Sequence, residues 1–129
     1  TNLIGSVDGR TVASVSASGG HVLNVDADGT WEVTLDQPVD PTPDSLPVDA
    51  SGEGPSYVGP FEFDGPTAFE GTHERSSNYI VQPIPVDPSN VAVSIFNEIG
   101  QFEGSTTERL DGLFYLNVDA DGAWTLTTE

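Results

Sequence analysis

Short runs of alternating apolar and polar residues recur along this 129-residue chain, and glycine or proline interrupts them at short intervals. The alternation has the two-residue period of a β-strand, and no segment carries the period of a helix. We predict strands near residues 10–16, 20–26, 30–36, 57–63, 67–73, 77–82, 90–97, 104–110, 112–119 and 123–128. This pattern predicts an all-β fold, a two-layer antiparallel β-sandwich.

A nine-residue sequence occurs twice in the chain. Residues 23–31 are LNVDADGTW and residues 116–124 are LNVDADGAW, so eight of the nine positions are identical. The match extends backward over further identical pairs: Asn2 with Asn97, Ile4 with Ile99, Gly5 with Gly100, and Gly9 with Gly104. We infer that residues 1–35 and 96–129 are duplicated segments.

Two different segments lie between the copies, a Pro/Asp-rich linker at 36–54 and a unique strand-rich block at 55–95. We expect a single domain over residues 1–129 in which the first copy completes the sandwich. The alternative is that the first copy is the tail of a preceding unit in a tandem array. Completion is favoured because an isolated tail would leave its apolar side chains exposed to water.

Each copy predicts a β-hairpin with a defined register. Only a three-residue loop that ends on glycine places the apolar residues of both arms on one face. This loop pairs Val25 with Trp31 in the first copy and Val118 with Trp124 in the second. Two glycines take the left-handed conformation in these loops: Gly29 and Gly122. Both tryptophans are therefore predicted to anchor the core.

The chain has a net charge of -18, from 21 acidic residues against three arginines. Such a surface repels nucleic-acid phosphates and anionic membranes, so neither is an expected partner. An acidic composition without lysine is similar to that of proteins from extreme halophiles, archaea above all, and we expect association with Na⁺ and K⁺. An acidic domain of a mesophile is the alternative. No apolar run approaches the roughly 20 residues that span a bilayer, and with no cysteine the chain forms no disulfide.

The repeated sequence also matches the start of an EF-hand calcium loop. The match then fails, because the twelfth position, a bidentate glutamate in EF-hands, is Leu35 or Thr128 here. A structural turn is the favoured interpretation, no cofactor is expected, and Ca²⁺ is the alternative. The remaining metal candidates are four aspartates: Asp26, Asp28, Asp119 and Asp121.

His21 and His73 are the only histidines, so any imidazole chemistry uses one or both. We expect each to be a surface or capping residue. His73 and Glu74 begin a zinc-protease-like pair, but Ser77 stands where the second histidine would be. The alternative function is a small hydrolase or cation-binding domain that uses His73 with acidic neighbours, and a deep pocket around His73 would favour it.

Two further features suggest recognition. Residues 75–78 form the polar tip of a predicted hairpin, a typical place for binding residues on a β scaffold. Phe114 and Tyr115 are adjacent in a predicted strand, so they point to opposite faces and one ring is exposed. The binding candidates are His73, Arg75, Asn78 and Tyr115.

The segment from Tyr57 to Trp124 resembles small β-sandwich modules of secreted and cell-surface microbial proteins, of haloarchaeal type. The motifs that carry this likeness are VGPF at 58–61, GTHE at 71–74, SNY at 77–79, FNEIG at 96–100 and VDADGAW at 118–124. These modules look like jelly-roll relatives of the pre-peptidase C-terminal domains.

The resemblance implies a noncatalytic accessory module, extracellular or on the cell surface, that acts in adhesion, scaffolding or carbohydrate contact. Its implied partners are neighbouring domains of a larger surface protein or a carbohydrate. A structural subunit of a virion or surface layer is a third hypothesis, which oligomer size would distinguish from a monomeric module.

Overall fold

A computed structural model describes residues 8–15 and 18–129, and every regular element among them is a β-strand. The strands are β1 (Asp49–Glu53), β2 (Ser56–His73), β3 (Asn78–Pro85), β4 (Phe96–Ile99), β5 (Phe102–Ala120) and β6 (Ala123–Thr128). The predicted all-β class is confirmed. In these described residues no helix is long and apolar enough to cross a membrane.

The six strands form one antiparallel sheet in the order β1-β6-β2-β5-β3-β4. Its central pair, β2 and β5, has 18 and 19 residues and is hydrogen-bonded along most of its length. Gly65 and Gly112 lie in the middle of this pair with φ angles of 103° and 113°. Glycine adopts this conformation without steric cost and lets paired strands bend. Strands β2 and β5 are therefore continuous, whereas the sequence predicted breaks at residues 64–66 and 111.

The bend makes the single sheet fold over on itself. The C-terminal half of β2 pairs with β6, whereas the C-terminal half of β5 pairs with β3. β3 and β6 then face each other, and the Tyr79 hydroxyl donates a hydrogen bond to the Thr125 carbonyl at 2.9 Å. One continuous sheet thus takes the place of the two layers that we predicted.

The core lies between the facing halves of the sheet. Its buried apolar residues are Val48, Phe61, Phe63, Phe69, Tyr79, Val81, Ile95, Phe96, Leu110, Phe114, Leu116, Val118, Ala120, Trp124 and Leu126. Phe61 and Phe63 are both buried, because the alternation along β2 places the two rings on the same face.

The first copy of the repeat does not form the predicted strands. Residues 8–15 and 18–43 contain none, so the predictions at 20–26, at 30–36 and over the described part of 10–16 are wrong. Trp31 is 56% exposed, and its predicted place in the core is wrong too. The reason is that the second copy already fills the inner face of the sheet. Residues 1–7 and 16–17 lie outside the described residues.

The second copy forms β5 and β6, but these strands are not a hairpin. β5 pairs with β2 and β3, whereas β6 pairs with β1 and β2. Residues 121–122 carry the chain from one half of the folded sheet to the other, and the φ angle of neither Gly122 nor Gly29 is positive. The predicted hairpin register and both left-handed glycines are therefore wrong. The predicted burial of Trp124 is confirmed, since its exposed fraction is 2%.

Two other strand boundaries differ from the prediction. β1 lies inside the predicted linker at 36–54, and its sequence DASGE has no apolar run that would indicate a strand. It forms because its backbone pairs with the edge of β6. Residues 91–94, within the strand predicted at 90–97, are in no strand.

Candidate functional site

His73 is the last residue of β2 and lies where three turns meet. The turn at 74–77 contacts the other two: the Glu74 amide donates to the Ala123 carbonyl at 3.1 Å, and the Gly100 amide donates to the Ser77 carbonyl at 2.9 Å. His73 is only 2% exposed beneath these turns. The prediction that it is a surface or capping residue is wrong, because the chain crosses between sheet halves directly above it.

The hydrogen bonding of His73 places a proton on Nδ1 of its ring. Nδ1 lies 2.9 Å from the Gly100 carbonyl oxygen, which can only accept, so Nδ1 carries the proton. Nε2 lies 3.2 Å from Oδ1 of Asp121, yet it is buried and has no hydrogen-bond partner of adequate geometry. In the neutral ring Nε2 only accepts hydrogen bonds, and it faces the Asp121 carboxylate oxygen, which also only accepts. A protonated ring would instead donate to the carboxylate.

The arrangement limits what His73 can do chemically. Both ring nitrogens face protein atoms, and the side chain has no exposed surface. The ring also stacks on Tyr79, with centroids 5.5 Å apart and an interplanar angle of 10°. General acid–base catalysis needs a nitrogen within reach of a substrate proton. The geometry is that of a core histidine joined to one surface carboxylate.

Tyr79 packs against the buried face of the His73 ring and is itself held in place by two contacts. It stacks on Phe96 at 5.8 Å, and its hydroxyl is held by the Thr125 carbonyl. Burial raises the pKa of Tyr79 far above its ordinary value, because the phenolate would lose its hydration. Tyr79 thus links β3 to β6 in its neutral form.

Arg75 and Asn78 lie beside this cluster and are exposed, as predicted for the tip of residues 75–78. The tip is not part of a hairpin, because β3 pairs with β4 and β5 rather than with β2. The aliphatic part of Arg75 crosses Gly122 so closely that a side chain there would collide with it. The turns that follow β2 and β5 are therefore packed against each other.

Tyr115 lies on the outer face of β5 and belongs to a second cluster. Its ring meets that of Tyr57 edge-on at 5.8 Å, and the Arg10 guanidinium lies 4.6 Å from the Tyr57 centroid. Burial raises the pKa of Tyr115, and the nearby Tyr57, Asp36 and Asp44 add to the rise. The sequence indicated Tyr115 as a binding residue but did not place Arg10 and Tyr57 beside it, since no motif connects residues so far apart.

Adjacent Phe114 and Tyr115 do point to opposite faces, as predicted. Phe114 is 1% exposed in the core, whereas Tyr115 is half-buried outside it. Beside Tyr115 on the outer face, Oδ1 of Asn117 accepts from the Val12 amide at 3.1 Å and from the Thr11 hydroxyl at 2.9 Å. Residues 10–12 are thereby held beside this cluster.

The four candidate metal ligands occupy different surroundings. Asp26 and Asp28 are exposed in a segment without strands, Asp119 is half-buried on β5, and Asp121 lies beside His73. Over residues 8–15 and 18–129, no group of three or more His, Asp or Glu side chains comes together as a metal site. The structure thus does not gather these aspartates around one point.

An open polar depression of about 500 Å³ lies on the outer face of β1, β6 and β2. Ser51, Thr125 and Thr72 contribute hydroxyl groups, and the last two hydroxyls are 2.7 Å apart. Glu53 and Glu74 supply carboxylates at one end. Hydroxyl and carboxylate groups on an open strand surface can hydrogen-bond to a polar ligand such as a sugar, but they are not enclosed as catalytic groups are.

Comparison with known proteins identifies no relative of the chain: no family model, no curated protein and no solved structure matches it significantly.

Proposed function

We propose that the protein is a noncatalytic accessory module from the surface of a halophile, extracellular or attached to the cell, with an acidic exterior adapted to salt. It acts in adhesion, scaffolding or carbohydrate contact, and its partners are a carbohydrate or neighbouring domains of a larger surface protein.

The placement of the carboxylates carries this proposal. Of the 21 acidic residues, 19 are exposed, two are half-buried and none is buried. The charge of -18 therefore lies at the surface, where hydrated cations can screen it. Such a surface supports a module that stays dissolved and folded in concentrated salt.

The Tyr115 cluster supports carbohydrate contact. A half-buried tyrosine ring is bordered by Tyr57, by the Arg10 guanidinium and by the Asn117 side chain. An amphipathic ring beside polar donors and acceptors suits a sugar, which has an apolar ring face and hydroxyl edges. We propose this cluster as the contact surface.

The hydrolase alternative has one observation in its favour, the 3.2 Å approach of Asp121 to His73. The enclosed imidazole weighs against it, because a base without exposed surface cannot reach a substrate. The binding module is therefore the better-supported function.

A glycan array in molar NaCl tests the proposal, with the whole chain as the probe. We expect binding to a class of glycan without hydrolysis, and loss of that binding in Tyr115→Ala. Ile99→Ala is the control, because Ile99 is 79% exposed and lies on the edge strand β4, which β3 separates from β5. Cleavage of a bound glycan would favour the hydrolase. Binding that Tyr115→Ala leaves unchanged would overturn the proposed contact surface.

A further inference from the structure

Residues 18–36 carry the sequence that forms β5 and β6 in the second copy, but they form no strand. In the second copy, the inward residues Leu116, Val118, Trp124 and Leu126 are all at most 2% exposed. The corresponding residues of the first copy are Leu23, Val25, Trp31 and Val33. Of these, Leu23, Trp31 and Val33 are 64%, 56% and 49% exposed. Positions that form the core in one copy therefore lie in solvent in the other.

One backbone feature of β5 does occur in the first copy. Gly112, at the bend of β5, has a φ angle of 113°, and Gly19 has a φ angle of 112°. The two glycines are repeat equivalents, because each stands four residues before the leucine that begins the shared sequence. Glycine adopts this conformation at little steric cost. The first copy thus has both the inward residues and the glycine bend of β5, but it lacks strands to pair with.

The partners of the second copy come from the residues directly before it. β3 pairs with Phe114–Ala120, and β1 and β2 pair with β6. β1, β2 and β3 all lie within residues 37–95, which we call the strand frame. The strand frame also contains Gly54, whose carbonyl accepts from the Trp124 indole at 2.9 Å. It therefore supplies both the strand pairing and the polar contact that hold Trp124 in the core.

The order of these segments indicates where a frame for the first copy belongs. The strand frame of this chain is filled by β5 and β6, so the first copy has no place in it. In the second copy the frame comes immediately before the repeated segment. A repeat with the same order places the frame of the first copy before Thr1. That frame is free to receive residues 18–36, because they are its own last strands.

We propose that residues 18–36 are the last two strands of a preceding module, and that their partner is a strand frame like residues 37–95 located earlier in one longer polypeptide. Paired with that frame, the segment forms strands and Trp31 is buried as Trp124 is buried here. In the 129-residue chain by itself, Trp31 stays exposed. The inference goes beyond the proposed function, because a tandem array of such modules holds whatever ligand the outer faces bind.

Two backbone amides of the first copy show how adjacent modules meet. The Arg10 amide donates to the Pro55 carbonyl at 3.0 Å, and the Val12 amide donates to the Asn117 side chain at 3.1 Å. The equivalent part of β5, residues 103–110, pairs with β2 alone among the described strands. Its other edge is therefore available for a contact of this kind. The preceding module can pair with its own frame on one edge and touch this module on the other.

A chain with one added strand frame tests the proposal. Residues 37–95 are joined in front of Thr1, so that the added Ile95 precedes Thr1 as the resident Ile95 precedes Phe96. The added segment contains no tryptophan, so the extended chain has the same two indoles as the 129-residue chain. Hydrogen exchange of the indole N–H groups is followed by NMR in both chains. We expect the Trp31 N–H to exchange at least about tenfold more slowly in the extended chain, because it is then protected by a folded module.

Two matched chains control for the added length and for its folding. Phe69→Asp in the added frame only puts a charge at a position that is fully buried in the core, and it should leave Trp31 free to exchange. A tandem in which residues 96–129 replace residues 1–36 of the extended chain is the positive control, and both its indoles should be protected. Protection of Trp31 that the Phe69→Asp frame abolishes would support the proposal. A freely exchanging Trp31 in the extended chain, while the tandem protects both indoles, would overturn it.

Discussion

Trp31 and Trp124 occupy the same position of a nine-residue repeat, yet the first is 56% exposed and the second only 2%. The Trp124 indole also donates a hydrogen bond from Nε1 to the Gly54 carbonyl at 2.9 Å. Nearly identical local sequences thus lie in opposite environments. The two copies differ in their strand partners: β1, β2 and β3 pair with the second copy, and no strand forms in residues 18–36 of the first.

Removal of the two indoles should have very different effects on stability. Trp124→Ala opens a cavity in the core and should lower the free energy of unfolding by about 3–5 kcal/mol. Trp31→Ala removes an exposed side chain and should change it by no more than about 0.5 kcal/mol. Denaturant unfolding of both variants provides the measurement. A cost for Trp31→Ala close to that of Trp124→Ala would contradict the assigned environments.

The carboxylate beside His73 should be slightly unfavourable when the imidazole is neutral. Asp121→Asn replaces an acceptor with an amide that can donate to the unpartnered Nε2, so it should raise the free energy of unfolding at pH 8 by about 1 kcal/mol. Asp119→Asn is the control, because it removes the same charge on β5. Thermal unfolding at pH 8 compares the two. An Asp121→Asn protein less stable than Asp119→Asn would show that the ring donates to the Asp121 carboxylate and is stabilised by it.

Tyr79 should make the fold sensitive to alkali. Because burial raises its pKa in the folded state, the unfolded chain loses this proton first, at the ordinary tyrosine pKa of about 10. The contribution of Tyr79 is therefore complete below that pH and is lost as the pH rises above it.

Tyr79→Phe removes both the titration and the hydrogen bond to the Thr125 carbonyl. The variant should be less stable than wild type by about 1 kcal/mol at pH 8, and the difference should shrink as the pH rises beyond 10. Urea unfolding across this range supplies the comparison. A difference that stays constant up to alkaline pH would mean that the Tyr79 hydroxyl is hydrated in the folded protein.

Two carboxylates, Asp64 and Asp111, face each other across β2 and β5. Their repulsion should make the stability of the protein depend on salt concentration. Asp64 on β2 is directly opposite Asp111 on β5, which is also bound by Arg109 at 2.9 Å. Asp64→Asn should raise the free energy of unfolding by about 0.2–1 kcal/mol at low salt, and the gain should disappear as salt screens the pair.

Asp49→Asn is the control for this pair, because Asp49 is opposite Thr127 rather than another acid. Thermal unfolding across a series of NaCl and KCl concentrations compares the variants, and the two salts should act alike. An Asp49→Asn protein that gains as much as Asp64→Asn would show that overall charge, rather than this pair, sets the low-salt stability.

Alternation along the chain predicted the strand class and most of the core, but it left the pairing open. In the second copy, Val118 and Trp124 point inward, as the hairpin prediction required. The same alternation also fits two strands that face each other across a fold in the sheet. Sequence period specifies which face a residue lies on, but it does not specify which strand pairs with which.

The candidate site was only partly visible in the sequence for a related reason. Tyr115 could be found because its neighbour Phe114 had to occupy the opposite face. The burial of His73 depends on turns at 74–77, 100–101 and 121–122, which are far apart in the chain and converge only in the folded sheet. No local pattern around His73 contains that information.

Hydrogen exchange of the two indole N–H groups, followed by NMR on the unmodified chain, tests the central claim most directly. The account predicts one strongly protected indole proton, from Trp124 held by the Gly54 carbonyl, and one that exchanges at the rate of a free indole, from Trp31. The spectrum of Trp31→Phe assigns the two signals. Two protected protons, or two that exchange freely, would contradict it.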